Sequence, residues 1–128
     1  MNRKGFTLVE IMIVVAIIAL LAAIAIPNLL RAKISSNDAL AKSTLRTLST
    51  ASETFATANT GNYPTDITSL TGATPAYVNK AYCATTVAGF DYTCTFGAGA
   101  YTFTATPVTV GTSGSTTFTI STGGILTP

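Results

Sequence analysis

The segment from Gly5 to Leu30, GFTLVEIMIVVAIIALLAAIAIPNLL, limits the possible folds more than any other part of the chain. Its centre, Ile11 to Ile26, is sixteen residues without a polar side chain, and Phe6, Leu8, Val9, Leu29 and Leu30 extend the apolar run on both sides. At a helical rise of about 1.5 Å per residue, Phe6 to Ile26 spans roughly 30 Å, the thickness of a bilayer's hydrocarbon core. The segment is therefore long enough to cross a membrane. Its one charge, Glu10, sits near the start, where a carboxylate in lipid is costly unless it meets a partner. Glu10 thus asks for more than an anchor.

Two plainer readings account for part of this stretch. A removable secretory signal fits the basic flank of Met1 to Lys4, but the apolar run is longer than the usual 7 to 15 residues, and PNLLRAK lacks a small-residue cleavage region. A single-span anchor explains the length and leaves Gly5 and Glu10 without a role. Over the whole chain the net charge is +2, which Arg3 and Lys4 supply; the remaining five cations and five acids balance, so no basic field exists for a polyanion. With 128 residues, there is room for one modest domain beyond the long helix.

The stretch KGFTLVEIMIVVAIIALLAAIAIPNLLRAK resembles the N-terminus of type IV pilins and of the related pseudopilins of type II secretion systems. The resemblance implies a short basic leader, residues 1–5, removed by a prepilin peptidase between Gly5 and Phe6, with N-methylation of the new terminus at Phe6. It makes Glu10 the family's glutamate; the cost of an unpaired carboxylate in an apolar fibre core then points to the Phe6 amino group of an adjacent subunit as its assembly partner, with an intrachain pair, or a carboxylate resting at headgroup level, as the alternatives. The resemblance also aligns Pro27 with a helix-bending proline found in many members. The fold it implies is α+β, a long N-terminal helix packed on a small antiparallel sheet. Asn62, Tyr63 and Pro64 resemble a stretch that follows the long helix in many of these proteins.

The rest of the sequence is compatible with that architecture on its own terms. From Asn28 to about Asn59, Ile34, Ala41, Leu45, Leu48, Ser52 and Phe55 recur at helical spacing, so one helix over 6–59 is expected, spanning the membrane over 6–30 and amphipathic beyond. Pro27 lacks an N–H and crowds the preceding turn, which predicts a kink or local break. Gly61 is placed to cap the helix in a left-handed conformation, and Thr65 or Asp66 to start a short helical turn through Leu70. Residues 60–128 then form the globular part. Thr71 to Ala88 reads as a connecting loop, followed by about three antiparallel strands: Phe90 to Phe96, Tyr101 to Ala105 and, after a flexible VGTSGST, Thr116 to Ser121. Their aromatic and branched residues would cover the helix stripe.

Cys83 and Cys94 are the only cysteines, and in an exported domain an even pair predicts a disulfide that pins the loop to the first strand. With no histidine, a structural zinc site lacks ligands. No catalytic constellation, phosphate loop or cofactor motif is present, so neither an enzyme nor a cofactor is expected; GTSGS at Gly111 lacks the lysine and the strand-to-helix context of a phosphate loop. Threonine abundance fits the outer face of a sheet, with surface glycosylation or tight fibre packing as functional readings.

The expected function is a structural subunit of a homo-oligomeric helical filament. Its partners would be the prepilin peptidase, an inner-membrane assembly platform and, before assembly, the lipid bilayer. The subunit would be single-pass in the inner membrane and then part of a cell-surface filament. A type II secretion pseudopilin, in a periplasmic pseudopilus, is the alternative, although the C-terminal TGGILTP lacks the acidic calcium loop of some pseudopilins. A membrane-tethered binding module is a more distant reading.

Overall fold

The computed structural model describes Met1 and residues 5–128, so Arg3 and Lys4 of the expected leader lie outside the described residues. The chain divides into two units, Met1–Ala32 and Lys33–Pro128. A single helix, α1 (Leu8–Ala58), contributes to both, and it is followed by α2 (Ile67–Thr71) and five strands: β1 (Thr85–Val87), β2 (Phe90–Gly97), β3 (Ala100–Pro107), β4 (Phe118–Ser121) and β5 (Ile125–Thr127).

From Leu8 onward the first unit is helix, and almost all of its described residues are exposed. Pro27 is inside α1 and the helix continues through it, so no local break occurs. What proline removes is a donor: the carbonyl of Ala23 has no N–H four residues on. Just beyond, the Asn28 side-chain amide donates to the Ile24 carbonyl at 3.1 Å, adding a bond beside the gap.

In the second unit α1 lays one side on the sheet. Ala41, Leu45, Leu48 and Ser52 are buried, while Ile34 and Phe55, at the ends of the expected stripe, are half-buried. Ser52 stays dry by donating to the Leu48 carbonyl at 2.9 Å, which satisfies its hydroxyl inside the helix. The sheet is an antiparallel meander in the order β1-β2-β3-β4-β5. Alternation sends Phe90, Tyr92, Tyr101, Phe103, Ala105, Phe118 and Ile120 into the core against the helix. Tyr101 stacks on Phe103 along β3 at 4.9 Å, and Phe90 of β2 on Phe118 of β4 at 6.0 Å, so aromatic pairs help to fill the core within and between strands.

Five strands replace the expected three, and each difference has a local cause. The stretch expected as loop ends in β1, which reverses into β2 through Ala88 and Gly89, both at positive φ (49° and 79°). Such a two-residue turn suits the twist of a hairpin. β5 forms because Gly123 and Gly124, also at positive φ, return the chain onto β4, where Ile120 faces Leu126. The third expected strand begins two residues late, at Phe118. The segment expected to be flexible is instead tied down. Asn37 donates to the Ser113 carbonyl at 2.8 Å, the Ser115 amide donates to Asp38 at 3.0 Å, and Gly114 is buried against Phe90. A β-carbon on Gly114 would lie 2.3 Å from the Phe90 ring.

The end of α1 also differs. The Gly61 amide donates to the Ala56 carbonyl at 2.8 Å, the six-to-one bond that closes a helix C-terminus. In that motif the left-handed residue is the one before, here Thr60 at φ 57°, with Gly61 at 88° following it. α2 starts where Asp66, as N-cap, accepts from the Ser69 amide at 2.8 Å and from the Thr68 and Ser69 hydroxyls. Cys83 and Cys94 form a disulfide with Cα atoms 5.4 Å apart, joining the segment before β1 to β2.

Candidate functional site

The first turn of α1 is organised by Thr7 and Glu10. The Glu10 carboxylate accepts from the Thr7 amide and from the Thr7 hydroxyl, each at 2.7 Å, and the Glu10 amide donates back to the Thr7 hydroxyl at 3.2 Å. This reciprocal arrangement is a capping box, and it satisfies donors that a helix start leaves without partners. It also places a negative charge at the positive end of the helix dipole. Thr7 is a site residue that the sequence analysis above does not single out, although its signal is present in the spacing Thr7-x-x-Glu10 ahead of an apolar run.

Phe6 is 85% exposed and stands beside Glu10, with Ile11, Ile13 and Val14 lining the same shallow hollow. The side chains that follow are apolar and uncovered: from Phe6 to Leu30 every residue is exposed except Ala22, which is half-buried. The helix is long and apolar enough to cross a membrane. An all-round apolar surface of this size is unstable in water and requires lipid or protein around it. The structure thus brings Gly5, Phe6 and Glu10 together at one helix end, leaves Pro27 inside the same helix, and keeps Cys83 and Cys94 in the second unit as a structural link.

Residues 1–26 match the prokaryotic N-terminal methylation motif. The chain carries a prepilin-type N-terminus. Over 54 residues, 42% of this chain, it is 52% identical to a type IV major pilin protein, PilA, of Myxococcus xanthus. Over 37 residues, 29% of the chain, it is 65% identical to a type IV wide pilus major component, PilA4, of Thermus thermophilus. The chain covers 24% and 28% of the length of these two relatives. No solved structure matches it. The prepilin-type segment coincides with the capped, uncovered part of α1, and the α+β arrangement beyond it, one long helix with a five-stranded antiparallel sheet, is consistent with the type IV pilin fold.

A second polar cluster lies in the other unit. Glu53 Oε1 accepts from the Tyr101 hydroxyl and the Gly123 amide, both at 2.8 Å, and Oε2 accepts from the Tyr63 hydroxyl at 2.9 Å. Ser49 and Tyr101 share a further bond at 2.7 Å. Partial burial pushes the Glu53 carboxyl up, but the Gly123 amide and the Tyr101 and Tyr63 hydroxyls outweigh it and hold the group below the ordinary glutamate value. Burial, reinforced by the Glu53 charge, pushes Tyr101 up to about 12. The cluster joins α1, the segment after it, β3 and the β4–β5 turn. Among the described residues, no group of histidine, cysteine, aspartate and glutamate side chains is arranged to hold a metal ion.

Proposed function

We propose that the chain is a structural subunit of a type IV pilus-like helical filament. It is inserted in the inner membrane through α1, cleaved by a prepilin peptidase between Gly5 and Phe6, N-methylated at Phe6 and polymerised through its N-terminal helix. The observation that carries this reading is the coincidence of the methylation motif with a helix whose apolar surface is uncovered on all sides. Lipid covers that surface before assembly, and the helices of neighbouring copies cover it afterwards. The names of both relatives support a pilus over a secretion pseudopilus.

Cleavage supplies what Glu10 lacks. It creates a cationic α-amino group at Phe6, and in the apolar centre of a filament an unpaired carboxylate is costly, so the amino group of an adjacent copy is its partner. Before that exchange Thr7 holds the carboxylate within its own chain, which lowers the cost of Glu10 in lipid. Glu10→Gln keeps the shape and removes the charge. Expressed as the sole subunit, that variant is expected to insert and be cleaved normally while filaments sheared from cells fall sharply. Wild-type filament yield with an unchanged helical rise would overturn the role of Glu10.

A further inference from the structure

Beyond the apolar segment, the outward side of α1 in the second unit carries its charges in an ordered way. A groove lined by Lys42, Ser43, Arg46, Thr47, Thr50 and Tyr77 contains two cations and no acid. The hollow next along the helix, lined by Ser49, Thr50, Glu53, Thr57, Gly123 and Gly124, contains one acid and no base. Lys42 is already committed, since its ammonium group lies 4.7 Å from the Phe118 ring centre. Arg46 is exposed and takes part in no hydrogen bond or ring contact among the described residues. Glu53 is half-buried and bonded only to neutral donors, so its charge is unneutralised, and Oε2, with one donor, retains a free acceptor position.

Arg46 and Glu53 are seven residues apart, which on an α-helix is two turns, about 10.5 Å of rise and only about 20° of rotation. They therefore lie on one line along the helix, too far apart to pair with each other. Two parallel copies shifted by those two turns would bring the guanidinium of one against the carboxylate of the other. The contact uses different residues on the two copies, so each copy keeps one unmet half. A head-to-tail contact of this kind propagates as an open filament instead of closing as a dimer.

We infer that Arg46 of one copy binds Glu53 of a parallel neighbouring copy, fixing an axial stagger of about two helical turns between them. The parallel orientation rests on the filament reading above, in which all copies enter from the same membrane. Guanidinium and carboxylate suit one another because planar donors can meet both the free position on Oε2 and the charge behind it. Thr50 and Thr57, on the same exposed line, are brought opposite one another by the same shift.

The test is a double-mutant cycle on sheared filament yield, with the melting temperature of the detergent-solubilised full chain as the control for folding. Arg46→Gln is expected to lower the yield by about two- to fivefold with unchanged melting, and Arg46→Lys to recover most of it. Glu53→Gln is expected to lower the yield similarly, and the double variant to be no worse than the weaker single one. Because Glu53→Gln also disturbs the tyrosine cluster, a cross-linking arm is independent of it. Thr50→Cys combined with Thr57→Cys should give an intermolecular disulfide ladder in filaments, and neither change alone should. Wild-type yield from Arg46→Gln, additive losses in the cycle, or no ladder in the double-cysteine filaments would each overturn the contact. A wild-type chain that forms no filament would overturn the proposed function instead.

Discussion

At Gly114 the packed loop leaves no room for even a single methyl group. The backbone there passes so close to the Phe90 ring and to Pro107 that a β-carbon would lie 2.3 Å from one and 3.0 Å from the other. Phe90 is fully buried and cannot swing aside. Gly114→Ala is expected to destabilise the chain by about 1 to 3 kcal/mol, read as a lower midpoint in chemical denaturation in detergent. Thr60 presents the opposite case. A β-branched residue at φ 57° is strained, and glycine at that helix-capping position is not. Thr60→Gly is expected to raise stability by about 1 kcal/mol; an unchanged or lower midpoint would show that the Thr60 side chain contributes more than its backbone costs. Glu53 ties pH to the same fold. Its folded value is depressed, so the stability it contributes is complete above the ordinary glutamate pKa of 4.5 and is lost as pH falls through the folded value. Tyr101 acts at the other end: raised to about 12 from 10.0, it contributes fully below pH 10 and loses that contribution as pH rises towards 12. Glu53→Gln should flatten the acid limb of a stability profile and leave the onset of the alkaline limb in place.

Among the elements, those with long periodic patterns were readable and those made by single turns were not. Leu45, Leu48 and Ser52 recur at helical spacing, and Phe90, Tyr92, Tyr101 and Phe103 alternate with polar residues, so α1, β2 and β3 follow from pattern alone. β1 and β5 have three residues each, too few for alternation to register, and they exist because glycine-containing turns return the chain onto a longer neighbour. The Thr7-x-x-Glu10 cap left its signal in the sequence as a spacing that the reading above does not use. The Glu53 cluster left none, because its partners lie 10, 48 and 70 residues away and only the packed fold brings them together. The cysteine pair closes a separation of 11 residues, for which restriction of the unfolded chain corresponds to about 2 to 3 kcal/mol. Denaturation with and without reductant should show a loss of that size, and an unchanged midpoint would place the stabilisation elsewhere in the core. In α1 Pro27 leaves the Ala23 carbonyl without its helical donor. In a filament map the helix is expected to lose hydrogen bonds and lengthen between Ala22 and Pro27, and a straight, regular helix from Phe6 to Asn59 would contradict that expectation.

For the whole molecule, the proposed assembly into a filament accounts for why the features occur together. Three of the seven charged residues of α1, Arg31, Lys33 and Arg46, take part in no hydrogen bond or ring contact among the described residues, and its first half exposes apolar side chains on every side. On the proposed filament reading, neighbouring copies would surround the apolar helix with protein and bring further charged partners to its polar half. The proposed function depends on Phe6 becoming the terminus, because only then would Glu10 have an amino group to meet. The most direct measurement is the intact mass and N-terminal sequence of the chain recovered from filaments sheared off cells. The expected result is a chain beginning at Phe6, heavier by one methyl group, with Cys83 and Cys94 oxidised. A filament chain still carrying Met1 to Gly5, or one cut beyond the apolar segment, would contradict the account.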